Sequence, residues 1–132
     1  MENKVLFKSV VADIARLLRI RRIWPGEFNN ELAVYNGVSQ MEVNQARQAL
    51  AQFDSVTPRM QGVQYNSFDV SLKYHVNGKV GEGESSDAAF FEAIGSFTFD
   101  QKTYIIAVSF VDVSFTNLET QATAMIVVYP AE

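Results

Sequence analysis

The chain has 132 residues, of which 48% are apolar and 20% charged, with no cysteine and a formal net charge of −4. That length suits one domain with a buried core, read as residues 1–132, and the composition excludes collagen-like, repeat-array and disordered chains. No apolar run reaches the roughly 18 residues of a membrane span, and without cysteine there is no disulfide framework, thiolate metal site or cysteine nucleophile.

The charge is unevenly placed. Residues 1–22 hold Lys4, Lys8, Arg16, Arg19, Arg21 and Arg22 against Glu2 and Asp13, a balance of +4. After Arg22 stand five basic and thirteen acidic residues, a balance of −8. Such separation steers association with an oppositely charged partner or with a second copy of the chain.

Leu6, Phe7, Val10, Val11, Ile14, Leu17 and Leu18 recur every three or four residues, with Lys8, Ala12, Arg16 and Arg19 opposite. This predicts an amphipathic helix lying on a core. Lys8, Asp13 and Arg16 interrupt it too often for a signal peptide, and the pattern is expected to end in Arg21-Arg22-Ile23-Trp24-Pro25-Gly26, where the Pro-Gly pair favours a turn. Leu32, Val34 and Tyr35 suggest a short strand, and Asn36-Gly37 a turn. Ser39-Gln40-Met41-Glu42 matches a capping box, which predicts a second helix from Ser39 to about Asp54 with Met41, Val43, Ala46, Ala49, Leu50 and Phe53 inward.

Beyond Thr57 the period becomes two. Phe68, Val70, Leu72, Tyr74 and Val76 alternate with Asp69, Ser71, Lys73, His75 and Asn77, a strand with one buried face. The run NGKVGEGE at 77–84 reads as a loop or hairpin tip. Ser85 or Ser86 caps a predicted third helix through Ala88, Phe90, Phe91, Ala93, Ile94 and Phe97. Two strands close the sequence. Tyr104, Ile106, Val108 and Phe110 alternate, then Val111, Val113 and Phe115 change phase, which implies a β-bulge near Phe110 or burial on both faces. Thr116–Glu119 reads as a turn. Residues 121–129, QATAMIVVY, are apolar on both parities from Ala124 onward, as in a central strand or one covered by another subunit, and Pro130 ends the ladder. The fold class is α+β: an antiparallel sheet of four or five strands with two or three helices mainly on one face.

Reactive groups are sparse. His75 is the single histidine, with no HxH, HxxxH or cysteine pair to complete a metal site. No GxSxG elbow is present, and GKVGEGESS lacks both GxGxxG spacing and a GK[ST] ending. The expectation is no catalytic, cofactor-binding or metal-binding residue and no cofactor. Nucleic-acid binding has the cluster Arg16, Arg19, Arg21 and Arg22 beside Trp24 in its favour, and the acidic remainder against it.

The helix LFKSVVADIARLL, the strand FDVSLKYHV, the segment SDAAFFEAIGSF and the closing strand QATAMIVVY together resemble, in element order, the tail terminator and tail-completion proteins of the tailed-phage head-tail junction. That resemblance implies a non-enzymatic homo-oligomeric ring former, located in the virion and in host cytoplasm during assembly, that docks tail-tube and connector proteins. Its candidate interface residues are Arg16, Arg19, Arg21, Arg22, Trp24, Glu82, Glu84, Met125, Val127 and Tyr129. A second resemblance sets ELAVYNGVSQMEVNQARQALAQF, and FFEAIGSF with YIIAVSFVDVSF, beside the strand-glycine-helix units of ferredoxin-like domains in type IV pilus and type II secretion assembly proteins, which would imply a periplasmic domain of a membrane-anchored protein.

Overall fold

A computed structural model describes residues 2–22, 24–76, 79–82, 90–112 and 122–132, giving the backbone alone for residues 22, 73–76 and 79–82. The expected turn at Thr116–Glu119, the cap at Ser85 or Ser86 and the phase change at Val113 and Phe115 lie outside the described residues. The fold is α+β, with helix α1 (Asn3–Leu17), helix α2 (Val43–Ala51) and, among the described residues, nine antiparallel strands rather than four or five.

In chain order the strands are β1 (Ile20–Arg22), β2 (Glu27–Phe28), β3 (Ala33–Ser39), β4 (Gln64–Tyr65), β5 (Asp69–Val76), β6 (Lys79–Glu82), β7 (Phe90–Phe99), β8 (Lys102–Asp112) and β9 (Ala122–Pro130). Their spatial order is β1-β3-β9-β8-β7-β5-β6, with β2 also on β3 and β4 also on β7. Both helices cover the same face. Leu6, Phe7, Val10 and Ile14 of α1 and Val43, Ala46 and Leu50 of α2 join one core with the inward residues of β3, β5, β7, β8 and β9.

Rings tie this core together. Phe7 meets Tyr104 edge-on at 5.7 Å, Tyr104 stacks on Phe97 at 4.9 Å, and Tyr65 lies 4.4 Å from Phe53. Phe91 stacks on Phe110 at 5.2 Å. Each such pair adds roughly 1 kcal/mol to the area it removes from water.

Several expectations are corrected. The third helix is strand β7: Phe91, Ala93 and Phe97 are buried at period two while Ile94 is 51% exposed. Spacings of three and four fit the same phenylalanines, so periodicity alone could not decide. What holds the segment as a strand is its pairing with β5 on one side and β8 on the other, and Gly95 leaves room for the Phe68 ring, which a Cβ there would approach to 2.7 Å. No bulge interrupts β8, whose register runs one-to-one from Tyr104 against Pro130 to Asp112 against Ala122. Lys79–Glu82, expected as loop or hairpin tip, return along β5 as β6.

Asn36-Gly37 is no turn but the middle of β3, which continues to Ser39. Helix α1 stops at Leu17, ahead of the Pro-Gly pair, because Arg19 takes the left-handed conformation at φ 53°. Helix α2 begins at Val43, and its capping box is Glu42 with Gln45. Ser39 is instead a buried latch: its hydroxyl donates to the Leu18 carbonyl at 2.5 Å and accepts from the Met41 amide at 3.0 Å. It satisfies a carbonyl that the end of α1 leaves without a helical partner.

The β7–β8 hairpin turns through Asp100 and Gln101, both left-handed at φ 51° and 66°, between the pair Phe99 and Lys102. That geometry is a two-residue type I′ turn, for which Asn-Gly is the favoured sequence. Replacing Asp100-Gln101 by Asn-Gly is expected to raise stability by about 1 kcal/mol, read as a higher urea midpoint with an unchanged slope.

Candidate functional site

A sheet with helices on one face leaves its other face to water unless another molecule covers it. Here the outward positions are largely apolar. Backbone pairing sets them in rows across the sheet: Phe90, Val111, Thr123 and Val38 form one, and Ile94, Ala107, Val127 and Val34 another. Between these rows lie Glu92, Ser109, Met125 and Asn36, and beyond the second lie Ser96, Ile105 and Tyr129.

Among the described residues, four of the six exposed large apolar side chains are on this face: Ile94 at 51%, Val111 at 42%, Met125 at 40% and Tyr129 at 37%. No outward position of β3, β8 or β9 from Ile105 to Val111, Val34 to Val38 or Thr123 to Tyr129 carries a charge. Charges lie at the flanks. Arg21 pairs with Val38 on one side, Glu27 with Val34 on the same side, and Asp69 with Ile94 on the other.

The structure thus groups Met125, Val127 and Tyr129 on one face and sets Arg21 at its border. Arg16 is elsewhere, in the last turn of α1, with its guanidinium 3.4 Å from the Asp13 carboxylate. Arg19 is exposed just past that helix. Trp24 is 46% exposed in the segment joining β1 to β2. Arg22 ends β1, Glu82 ends β6 opposite Lys73, and Glu84 lies outside the described residues. The basic residues therefore do not form one stripe: Arg16 belongs to the helical layer and Arg21 to the opposite face of the sheet.

Sequence reasoning missed Ile94, Ile105 and Val111 as members of this face. The first was assigned to a helix and the last to a phase change read as a bulge near Phe110 or burial on both faces, although the alternation of β8 already set Ile105 opposite the buried Tyr104 and Ile106.

A second surface lies across the molecule. The outer side of α1 exposes Lys4, Val5, Lys8 and Arg16, with half-exposed Ala12 between them. Beside it an open groove is lined by Lys8, Val11, Ala12, Pro25, Phe28 and Tyr35. Lys8 holds its ammonium 5.6 Å above the Phe28 ring, a cation–π contact worth roughly 0.5–1 kcal/mol at an exposed site.

The remaining polar cluster is internal. Asp13, 4% exposed, accepts from the Tyr65 hydroxyl at 2.5 Å and from the Arg59 amide at 3.2 Å. Burial, and then the hydrogen bond and charge of Asp13, push the Tyr65 phenol well above its ordinary pKa, against a smaller lowering by Arg16. The phenol is a proton donor held in place, and the cluster anchors the chain before β4 to helix α1. Among the described residues no three histidine or acidic side chains gather as metal ligands. The side chain of His75 is outside the description.

Comparison with protein-family models, curated proteins and solved structures gives no match for this chain.

Proposed function

We propose that the chain is a non-enzymatic structural subunit that assembles with copies of itself into a ring at the head-tail junction of a tailed phage, as tail terminator and tail-completion proteins do. The observation that supports the reading is the largely apolar outward face of the sheet, which no helix among the described residues covers. Strands spaced about 4.8 Å apart, with alternate residues about 6.8 Å apart along each, give the four central strands a footprint of roughly 19 by 20 Å. A face of that size, apolar along most of two rows and broken between them by Glu92, Ser109 and Asn36, is in the range that small domains often use for interaction. In the assembled particle it would be buried between subunits, in the virion and in the host cytoplasm beforehand, with tail-tube or connector proteins on the free rims.

The pilus and secretion reading keeps one of its two units, since β3 and α2 follow each other with Gly37 in the strand. Its second unit is absent as such: Phe90–Phe99 and Lys102–Asp112 form a hairpin of two strands. Among the described residues no helix is long and apolar enough to cross a membrane. A nucleic-acid module is disfavoured because its basic residues are divided between two faces.

Light scattering after size-exclusion chromatography tests the proposal. The expected result is a discrete oligomer with ring-shaped particles in electron micrographs. A strict monomer at high concentration, in both low and moderate salt, overturns it.

A further inference from the structure

We infer that two copies of the chain pair through the outward sheet face about a two-fold axis, each face covering the other; the inference goes beyond the ring reading and does not rest on it. The charge pattern of the face, its size and the fit of its rows point to a second copy as the occupant.

The flanking charges sit at four corners. The row through Phe90 and Val38 is continued by Lys73 beside Phe90 and by Arg21 beside Val38, so both of its ends are basic. The row through Ile94 and Val34 is continued by Asp69 beside Ile94 and by Glu27 beside Val34, so both of its ends are acidic. A two-fold axis along the row between them, which holds Ser109 and Met125, lays the basic-ended row of one copy on the acidic-ended row of the other. Arg21 then lies over Glu27 and the position of Lys73 over Asp69, and the axis repeats both pairs, so all four corners are matched. An axis along the strands would instead set base on base and acid on acid. Charges at a rim set orientation and speed of encounter, while the apolar centre holds the contact.

Size agrees. From β5 through β7, β8, β9 and β3 to β1 and β2 the face is six strands wide, which is about 29 Å across and about 20 Å along the strands. Counted over two copies that is roughly 1,000 Å², the level at which specific interfaces begin.

The rows fit as well. Packed sheets stand about 10 Å apart with their strands crossing at about 30° and their side chains interdigitated. In this arrangement Val111, 42% exposed, lies over the small Ala107 of the second copy, and Met125, 40% exposed, lies beside its own counterpart near the axis. Glu92 is the one charge at the outward positions of β7, β8, β9 and β3; it has a partner within its own chain, and the crossing angle offsets it from its counterpart. A self-complementary contact closes at a dimer, so a ring built from such pairs holds an even number of subunits and needs one further contact.

The experiment uses three full-length variants, Arg21→Glu, Glu27→Arg and Met125→Glu. All three positions are exposed, and urea unfolding establishes that each variant is folded. Residues 21 and 27 stand about 14 Å apart along the strands, farther than the Debye length of about 10 Å at 0.1 M salt, so neither neutralises the other within one chain. The wild type is expected to be a dimer or an even-numbered oligomer in light scattering. Each charge variant alone sets like charges at its corners and is expected to pair about tenfold more weakly than the wild type at low salt. Mixed in equal amounts, the two are expected to form a mixed pair at close to wild-type affinity, since every altered corner then sets Glu against Arg. Raising salt from about 0.05 to about 0.5 M is expected to erase these differences, while Met125→Glu weakens pairing at least tenfold at either salt. Charge variants that pair as well as the wild type, or a mixture with no preference for the mixed pair, overturn the proposal. An odd-numbered ring overturns it and leaves the ring reading standing, and a strict monomer removes both.

Discussion

Replacing Asp13 by alanine is expected to lower the stability of the fold by about 3 kcal/mol, which for a domain of this size corresponds to roughly 10 °C in melting temperature. The carboxylate is buried in helix α1 and accepts from the Tyr65 hydroxyl and the Arg59 amide. Alanine leaves both donors without a partner, and that loss outweighs any gain from removing a buried charge. Tyr65→Phe removes one donor and leaves the carboxylate the Arg59 amide and the Arg16 guanidinium, so about 1–2 kcal/mol is expected. The two losses should fall short of additive in a double-mutant cycle, because each substitution already breaks the shared bond.

Alkaline pH reads the same contact. The Tyr65 pKa is raised in the folded protein, so the unfolded chain releases this proton near pH 10 while the folded one keeps it. The associated stability is fully present below pH 10 and declines above it, by up to about 1.4 kcal/mol per pH unit. Tyr65→Phe should flatten that decline without abolishing it, since Tyr104 is also raised by burial. A decline of equal slope in the phenylalanine variant would show that the hydroxyl is not held as described.

Gly37→Ala is expected to detach β1. A Cβ at this position would strike the Ile20 side chain and come within 2.5 Å of the Arg21 carbonyl oxygen. Side-chain ends can swing aside, but a backbone carbonyl moves only with its strand. The short β1 would lose its ladder on β3, at about 2–3 kcal/mol, and Arg21 would leave the border of the sheet face. Hydrogen exchange should then show faster exchange of the amides shared by β1 and β3, with the β7–β8 hairpin still protected. Protection equal to wild type would mean that the strand accommodates a methyl group.

These positions show what the sequence could and could not convey. The stripe from Leu6 to Leu18 and the alternation from Phe68 to Leu72 were legible because each element buries one side only, which leaves a single period in the chain. Phe90–Phe97 was not, since apolar residues on both faces of a central strand erase the alternation. Asn36-Gly37 misled for another reason: the glycine is required by the close approach of β1 rather than by positive φ. Of the candidate surface, Met125, Val127 and Tyr129 were visible as the surplus apolar parity of β9. Their neighbours Ile94, Ile105 and Val38 came together only through strand register, which no local pattern encodes. Asp13 was counted as one more helix charge because its partners lie about fifty residues away.

The pairing of β3 with β9 has a kinetic meaning. Residues 33–39 and 122–128 stand side by side in the sheet, so the early strands β1, β2 and β3, which pair with one another, join the rest of the sheet only when the late part of the chain arrives. The β7–β8 hairpin needs only its two-residue turn and is expected to form early. Closing β3 onto β9 carries the loop-closure entropy of about two-thirds of the chain and is expected to limit the folding rate to the millisecond-to-second range of non-local sheets. Until then the apolar strands are open on an edge as well as a face, and misassociation competes with folding for the same chains.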